Sequence, residues 1–166
     1  ITAQADMLAH KRIEVEDVVV ATLRFKSGAL GVIEATTAAF PGMLKRIEIH
    51  GTQGSAVLEE EDIKMWEFVT MNKSDNKLVQ RMAGRTKTGG GAGDPAAIGH
   101  HAHAELFRDA IRTIQGKISN SIDGAEGRRS VEIILAIYKA AESRKAITLP
   151  LKRDPRLSYR KKGVKS

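Results

Sequence analysis

Residues 47–60 read IEIHGTQGSAVLEE, and two glycines three apart sit at the centre of that stretch. Apolar and polar residues alternate on both sides of them. A dinucleotide-binding fingerprint needs G-x-G-x-x-G between a strand and a helix. Here G-T-Q-G lies between two alternating runs, and nothing helical follows to offer its N-terminus to a pyrophosphate. The stretch therefore predicts a hairpin, with glycines supplying positive φ at the turn.

The same alternation extends in both directions. In residues 17–25, Val19, Ala21, Leu23 and Phe25 fall on one face, and Val18, Val20, Thr22 and Arg24 on the other. That is a strand rich in β-branched residues. Lys26-Ser27-Gly28 separates it from a second alternating run over 29–38, which predicts a hairpin. Phe40-Pro41-Gly42 breaks that run. Residues 44–50, 55–59 and 63–69 read as further strands, with an acidic corner at Glu60-Glu61-Asp62. Residues 2–8 supply one more. About six strands with short connections predict a mainly antiparallel, open sheet.

The second half changes character. Residues 72–99 are polar, rich in glycine and without clear period, so a mobile loop is expected, centred on GRTKTGGGAGDP. Asp94-Pro95 has the chemistry of a helix start. Phe107, Ala110, Ile111 and Ile114 make an i, i+3, i+4, i+7 stripe on a helix over about 101–115, which Gly116 ends. Asp123 caps a second helix running to about Lys145, with Val131, Ile134, Leu135 and Tyr138 as its stripe. Residues 147–151 run extended. Strands first and helices after predict an α+β fold with two C-terminal helices packed on one face of the sheet.

At 166 residues, 42% hydrophobic and 28% charged, the composition is that of an ordinary globular chain. No apolar run approaches the roughly 20 residues needed to span a bilayer, so no membrane role is expected. There are no cysteines, which excludes disulfides, thiolate metal sites and cysteine nucleophiles. A cytoplasmic setting fits. The net charge of +7 invites a nucleic-acid reading, but its distribution argues against one. Residues 1–151 carry 20 Lys/Arg against 19 Asp/Glu, and residues 152–166 carry 7 against 1. The expected organisation is thus a domain over 1–151 and a basic, flexible tail over 152–166. The first residue is Ile1 inside an apparent strand, so the chain reads as part of a longer polypeptide.

His100, His101 and His103 form the most reactive-looking group. His100 and His103 are three apart and can share a helical face, as metal ligands do. No acid or further histidine stands at a ligand spacing, so a substrate-facing role is expected for one of them and no metal site. Lys87-Thr88 follows Thr86 rather than the glycine of a phosphate-binding loop. No serine lies in a nucleophile elbow. The chain therefore contains no complete catalytic constellation.

The run VVVATLRFKSGALGVIEATTAAFPGMLKRIEIHGTQGSAVLE resembles the C-terminal domain of the Gfo/Idh/MocA oxidoreductases, the family of glucose–fructose oxidoreductase and inositol dehydrogenase. HAELFRDAIRTIQGK and DGAEGRRSVEIILAIYKAAESRKAITLPL are similar to that family's closing helices and final strand. The likeness covers nearly all of 1–151. It implies a Rossmann domain as partner, in the same polypeptide or a separate chain, that binds NAD or NADP. Hydride would pass between nicotinamide and a sugar, polyol or related small-molecule substrate. The family's catalytic Lys, in an E-K-P segment, and its D-x-G-x-H-x-x-D helix have no counterpart here. Ala97 and Ala104 stand where acids would flank Gly99-His100-His101. Catalytic residues are therefore expected upstream of Ile1, and no cofactor is expected to bind this chain alone.

The resemblance leaves a substrate-side wall and an oligomer interface for this chain. Its open sheet face, mixing Val, Thr, Arg, Glu and His, is expected to pack on another subunit as a homo-oligomer. The break over 38–46 is the expected substrate-side segment, with Phe40 in it and Lys45 and Arg46 offered to polyol or acidic groups. Solvated strand-edge charges are the competing reading of both cations. A stand-alone α+β interaction module that uses its basic tail on an anionic partner is the alternative from another class.

Overall fold

In strand β2 (Val18–Arg24), every second side chain turns inward, and Ala21 is 1% exposed. Strand β1 (Thr2–Asp6) pairs with it on one side and β3 (Leu30–Thr36) on the other, both antiparallel. Their register places Ala3, Ala21 and Ile33 in one row across the sheet. Helix α3 (Gly124–Ser143) packs against β1 and buries Ala136, Ile137 and Ala140. Small side chains on both partners let backbone approach backbone closely, and even one added methylene is felt at such a contact. The helix starts where Asp123 accepts a hydrogen bond from Glu126 N at 2.8 Å, and ends at Arg144 in the left-handed region. The residues 147–151 run alongside the start of β1. Ile1 and Ile147 exchange two backbone hydrogen bonds of 2.8 Å, and Glu132 accepts one from Leu151 N at 2.6 Å.

The computed structural model describes residues 1–84, 100–118, 122–153 and 155. The glycine-rich core of the expected loop, the Asp94-Pro95 helix start and nearly all of the basic tail lie outside the described residues. The chain divides into two compact units, Ile1–Ala39 with Phe107–Ser166, and Phe40–Leu106.

The second unit holds a separate three-stranded sheet of β4 (Arg46–Gly51), β5 (Gly54–Glu59) and β6 (Asp62–Phe68) in sequential order. The α+β class holds. Its six described strands form two antiparallel sheets of three rather than one, because no ladder continues across the break at Phe40-Pro41-Gly42. There are three described helices rather than two. Helix α1 (Lys73–Met82) occupies a stretch expected to be irregular. Asn72 and Asp75 form a capping box there, Asn72 accepting from Ser74 N and Asp75 N while Asp75 accepts from Asn72 N. Leu78, Val79 and Met82 are half-buried on its inner side. Asp75 also accepts a hydrogen bond from Trp66 Nε1 at 3.2 Å, which joins α1 to β6. Ten residues give too few turns for a period to stand out in a polar sequence.

Helix α2 (His101–Ile114) appears where the sequence places it. Its stripe is not covered: Phe107 is 67%, Ile111 54% and Ile114 86% exposed.

Candidate functional site

The β4–β5 hairpin turns where expected, through Thr52 and Gln53 with Gly51 opposite Gly54. Of the two glycines only Gly54 has positive φ, and its reason is contact as well as conformation. A Cβ there would lie 2.4 Å from Glu67 O and from the Phe68 ring. The stretch therefore fits a strand–strand packing point and not a pyrophosphate cradle. Among the described residues no glycine turn joins a strand to a helix that could receive a dinucleotide.

The expected substrate-side residues all fall in the second unit. Phe40 is 97% exposed, as is most of neighbouring Met43. Lys45 is bound to Glu60 three times over. Its Nζ lies 2.8 Å from Glu60 Oε2, its N–H donates to Oε1 at 3.1 Å, and its C=O accepts from Glu60 N at 3.0 Å. The Lys45 side-chain hydrogen bond holds the Glu60 carboxyl below its ordinary range. Arg46 Nε lies 2.7 Å from Glu48 Oε1, and Glu48 Oε2 lies 3.2 Å from His50 Nε2. His50 Nδ1 meets Ser55 Oγ at 2.9 Å. Arg46, Glu48, His50 and Ser55 thus form one polar chain along a face of the hairpin. Sequence alternation placed the first three on one face, but the partnering of each cation with a carboxylate was not legible in it. Both cations are already neutralised in place, so neither is a bare anion site.

His100 and His103 are exposed at the entrance of α2, with His100 O accepting from Ala104 N at 3.0 Å. His101 lies within the helix, and its side chain is outside the described residues. Among the described residues no group of three or more His, Asp or Glu has metal-binding geometry.

Two shallow grooves are present. One, of about 470 Å³, is lined by Ile49, Ala56, Trp66, Phe68 and the turn from Gly51 to Gly54. The other, of about 590 Å³, follows the run from Ala146 to Arg153 beside Lys139. Neither lining holds a carboxylate or a histidine.

The residue that sequence reading missed is Asp17, 3% exposed at the base of β2. Its carboxylate accepts from Leu8 N and Ala9 N at 2.8 Å, from His10 N at 2.7 Å, and meets His10 Nδ1 at 3.2 Å. These donors, the His10 amide first, hold it well below the usual carboxylate range. Beside it, Tyr138 of α3 donates to Glu16 Oε1 at 2.5 Å. Asp17 fixes the loop between β1 and β2. It is an anchor, closed to ligands by its own partners.

A family model described as the GFO/IDH/MocA C-terminal domain matches residues 1–57, from β1 into β5. Among solved structures, the WlbA dehydrogenase from Bordetella pertussis, in complex with NADH and UDP-GlcNAcA, is similar with a TM-score of 0.74 and 28% identity. The match covers 90% of this chain and 41% of that one, so this chain spans about two fifths of that protein's length. No curated protein matches the chain in sequence. The family match over residues 1–57 and the structural likeness agree with the resemblance carried by the strand and hairpin motifs.

Proposed function

We propose that this chain is the substrate-side and assembly part of an NAD(P)-dependent dehydrogenase acting on a sugar, polyol or related small molecule. A Rossmann domain supplies the nicotinamide and the catalytic groups. The observation that carries the reading is the fold likeness to a dehydrogenase bound to NADH and a nucleotide sugar, in a chain without a cofactor cradle among its described residues. Phe40 and the loop leading to Lys45 and Arg46 are the substrate-side residues on this reading, with the α2 histidines as further candidates. Lys45 and Arg46 act there as parts of ion pairs with Glu60 and Glu48, so they present an oriented donor set rather than free charge.

The assembly role rests on the first sheet. One face lies under α3, while the other leaves Val20 45%, Leu30 70% and Val32 68% exposed among Thr2, Thr22 and Glu34. Apolar residues clustered on an open sheet face mark an interaction surface. The division of labour is tested by titrating the purified chain with NADH in a calorimeter. No binding heat is expected, and saturable tight binding would overturn the assignment of the cofactor to another domain.

A further inference from the structure

Among the described residues strand β4 is an edge strand: it pairs with β5 alone, and all six of its residues are exposed. Its backbone polarity follows from its neighbour. Lys45 O accepts from Glu60 N, which is the next rung of the ladder after Arg46–Glu59. In an antiparallel ladder successive residues point their N–H and C=O to alternate sides. Residues 45, 47 and 49 therefore face β5, and Arg46, Glu48 and His50 present their backbone groups to the free edge. An unpaired edge of this kind is a template for another strand, and proteins commonly blunt it with proline, a bulge or charged side chains, which repel a copy where their signs are alike. β4 has no proline, the described bulge lies between β5 and β6, and its outward residues alternate in sign.

We propose that the β4 edge pairs with the β4 edge of a second copy of this chain, antiparallel about a two-fold axis through Ile47. In that register Arg46 stands opposite the partner's Glu48, and Glu48 opposite the partner's Arg46. Both are hydrogen-bonded pairs, each exchanging two backbone bonds, and both join unlike charges. Ile47 stands opposite the partner's Ile47 at the closer, non-hydrogen-bonded spacing. Ile47 is 58% exposed in the single chain and becomes covered there. Shifting the axis to Glu48 sets that carboxylate against its own copy, which disfavours the next same-face register. The contact is isologous and closes on itself as a dimer rather than a fibre. It uses the strand edge of the second unit and is distinct from the open sheet face of the first.

Sedimentation of the chain over a concentration series tests the pairing. Arg46→Glu alone and Glu48→Arg alone each turn both cross-strand pairs into like-charge pairs, and each is expected to weaken self-association by about tenfold or more. An equimolar mixture of the two variants restores both unlike pairs and is expected to associate again, as is the Arg46→Glu/Glu48→Arg double variant. Circular dichroism of each variant establishes that it is folded. The series is repeated in a Val32→Glu background, which removes the open face of the first sheet as a second contact between copies. Monomeric behaviour of the parent chain at every concentration overturns the proposal. So does association that survives Arg46→Glu in the Val32→Glu background, or that Val32→Glu alone abolishes.

Discussion

The two three-stranded sheets have the same topology and opposite fates. The first is covered on one face by α3 and anchored at its loop by a buried carboxylate. Its core is made of small residues, Ala21, Ala136 and Ala140, at close backbone approach. The second buries only Val57 and Asp62 fully and carries its charges in chains along the hairpin surface. The first sheet is organised by what it excludes from water. The second is organised by polar pairs that remain in contact with it. The comparison shows an apolar core of small residues in the first unit and a surface of paired charges in the second.

Asp17 is where that contrast breaks most sharply. Asp17→Asn puts an amide NH₂ in place of one carboxylate oxygen, against at least one N–H donor of the loop between β1 and β2, and so weakens its anchor. A fall in melting temperature larger than for either change described below is expected by circular dichroism. The pH dependence has a definite sign. The folded carboxyl titrates below its unfolded value of about 3.9, so its contribution is present above that value and is lost as pH falls through and below it. The parent chain should therefore lose stability on acidification below about pH 4 more steeply than Asp17→Asn. Equal acid profiles for the two would show that Asp17 does not carry this linkage.

A second change probes the hairpin. Gly54→Ala forces a Cβ into Glu67 O and the Phe68 ring at a φ that L residues rarely adopt, and should cost about 1–3 kcal/mol. Trp66 is the only tryptophan, and its ring sits edge-on to Phe68 at 5.1 Å. Its fluorescence therefore reports the second unit in chemical denaturation. An unchanged midpoint would mean that β5 and β6 separate without strain, and the close packing inferred at Gly54 would fail.

The order of strands and the two longer helices were legible because period-two and period-3.6 patterns are strong in them. Strand ends fell within a residue or two of the alternating runs, as at 17–25 against Val18–Arg24. Three features were not legible, each for a physical reason. Helix α1 is held by a cap and by one bond to Trp66 rather than by a long apolar stripe. The bulge at Val57/Leu58 sets Ile63 beside Leu58 and so interrupts the simple alternation of β6, a shift that depends on pairing and not on composition. Asp17 looked like a strand's polar start, because the three amides that bind it lie on a loop whose path the sequence does not specify. The exposed stripe of α2 carries the complementary lesson: periodicity marks an apolar face but does not say what covers it.

The smallest expected effect is also the most discriminating for the second unit. Arg46 and Glu48 have side chains 53% and 42% exposed, and a pair that wet is screened and entropically costly to hold. Arg46→Gln should change the folding free energy of the single chain by less than about 1 kcal/mol, measured by urea denaturation at low protein concentration. A larger loss would make the Arg46–Glu48–His50–Ser55 chain a structural element, and the second sheet would then be built like the first. A loss within that limit leaves the chain's order in need of another reason. Side chains ordered at little gain to folding, on an edge with alternating sign that is unpaired among the described residues, support the proposed contact with a second copy. That is the physical ground on which the second unit is read as a recognition surface.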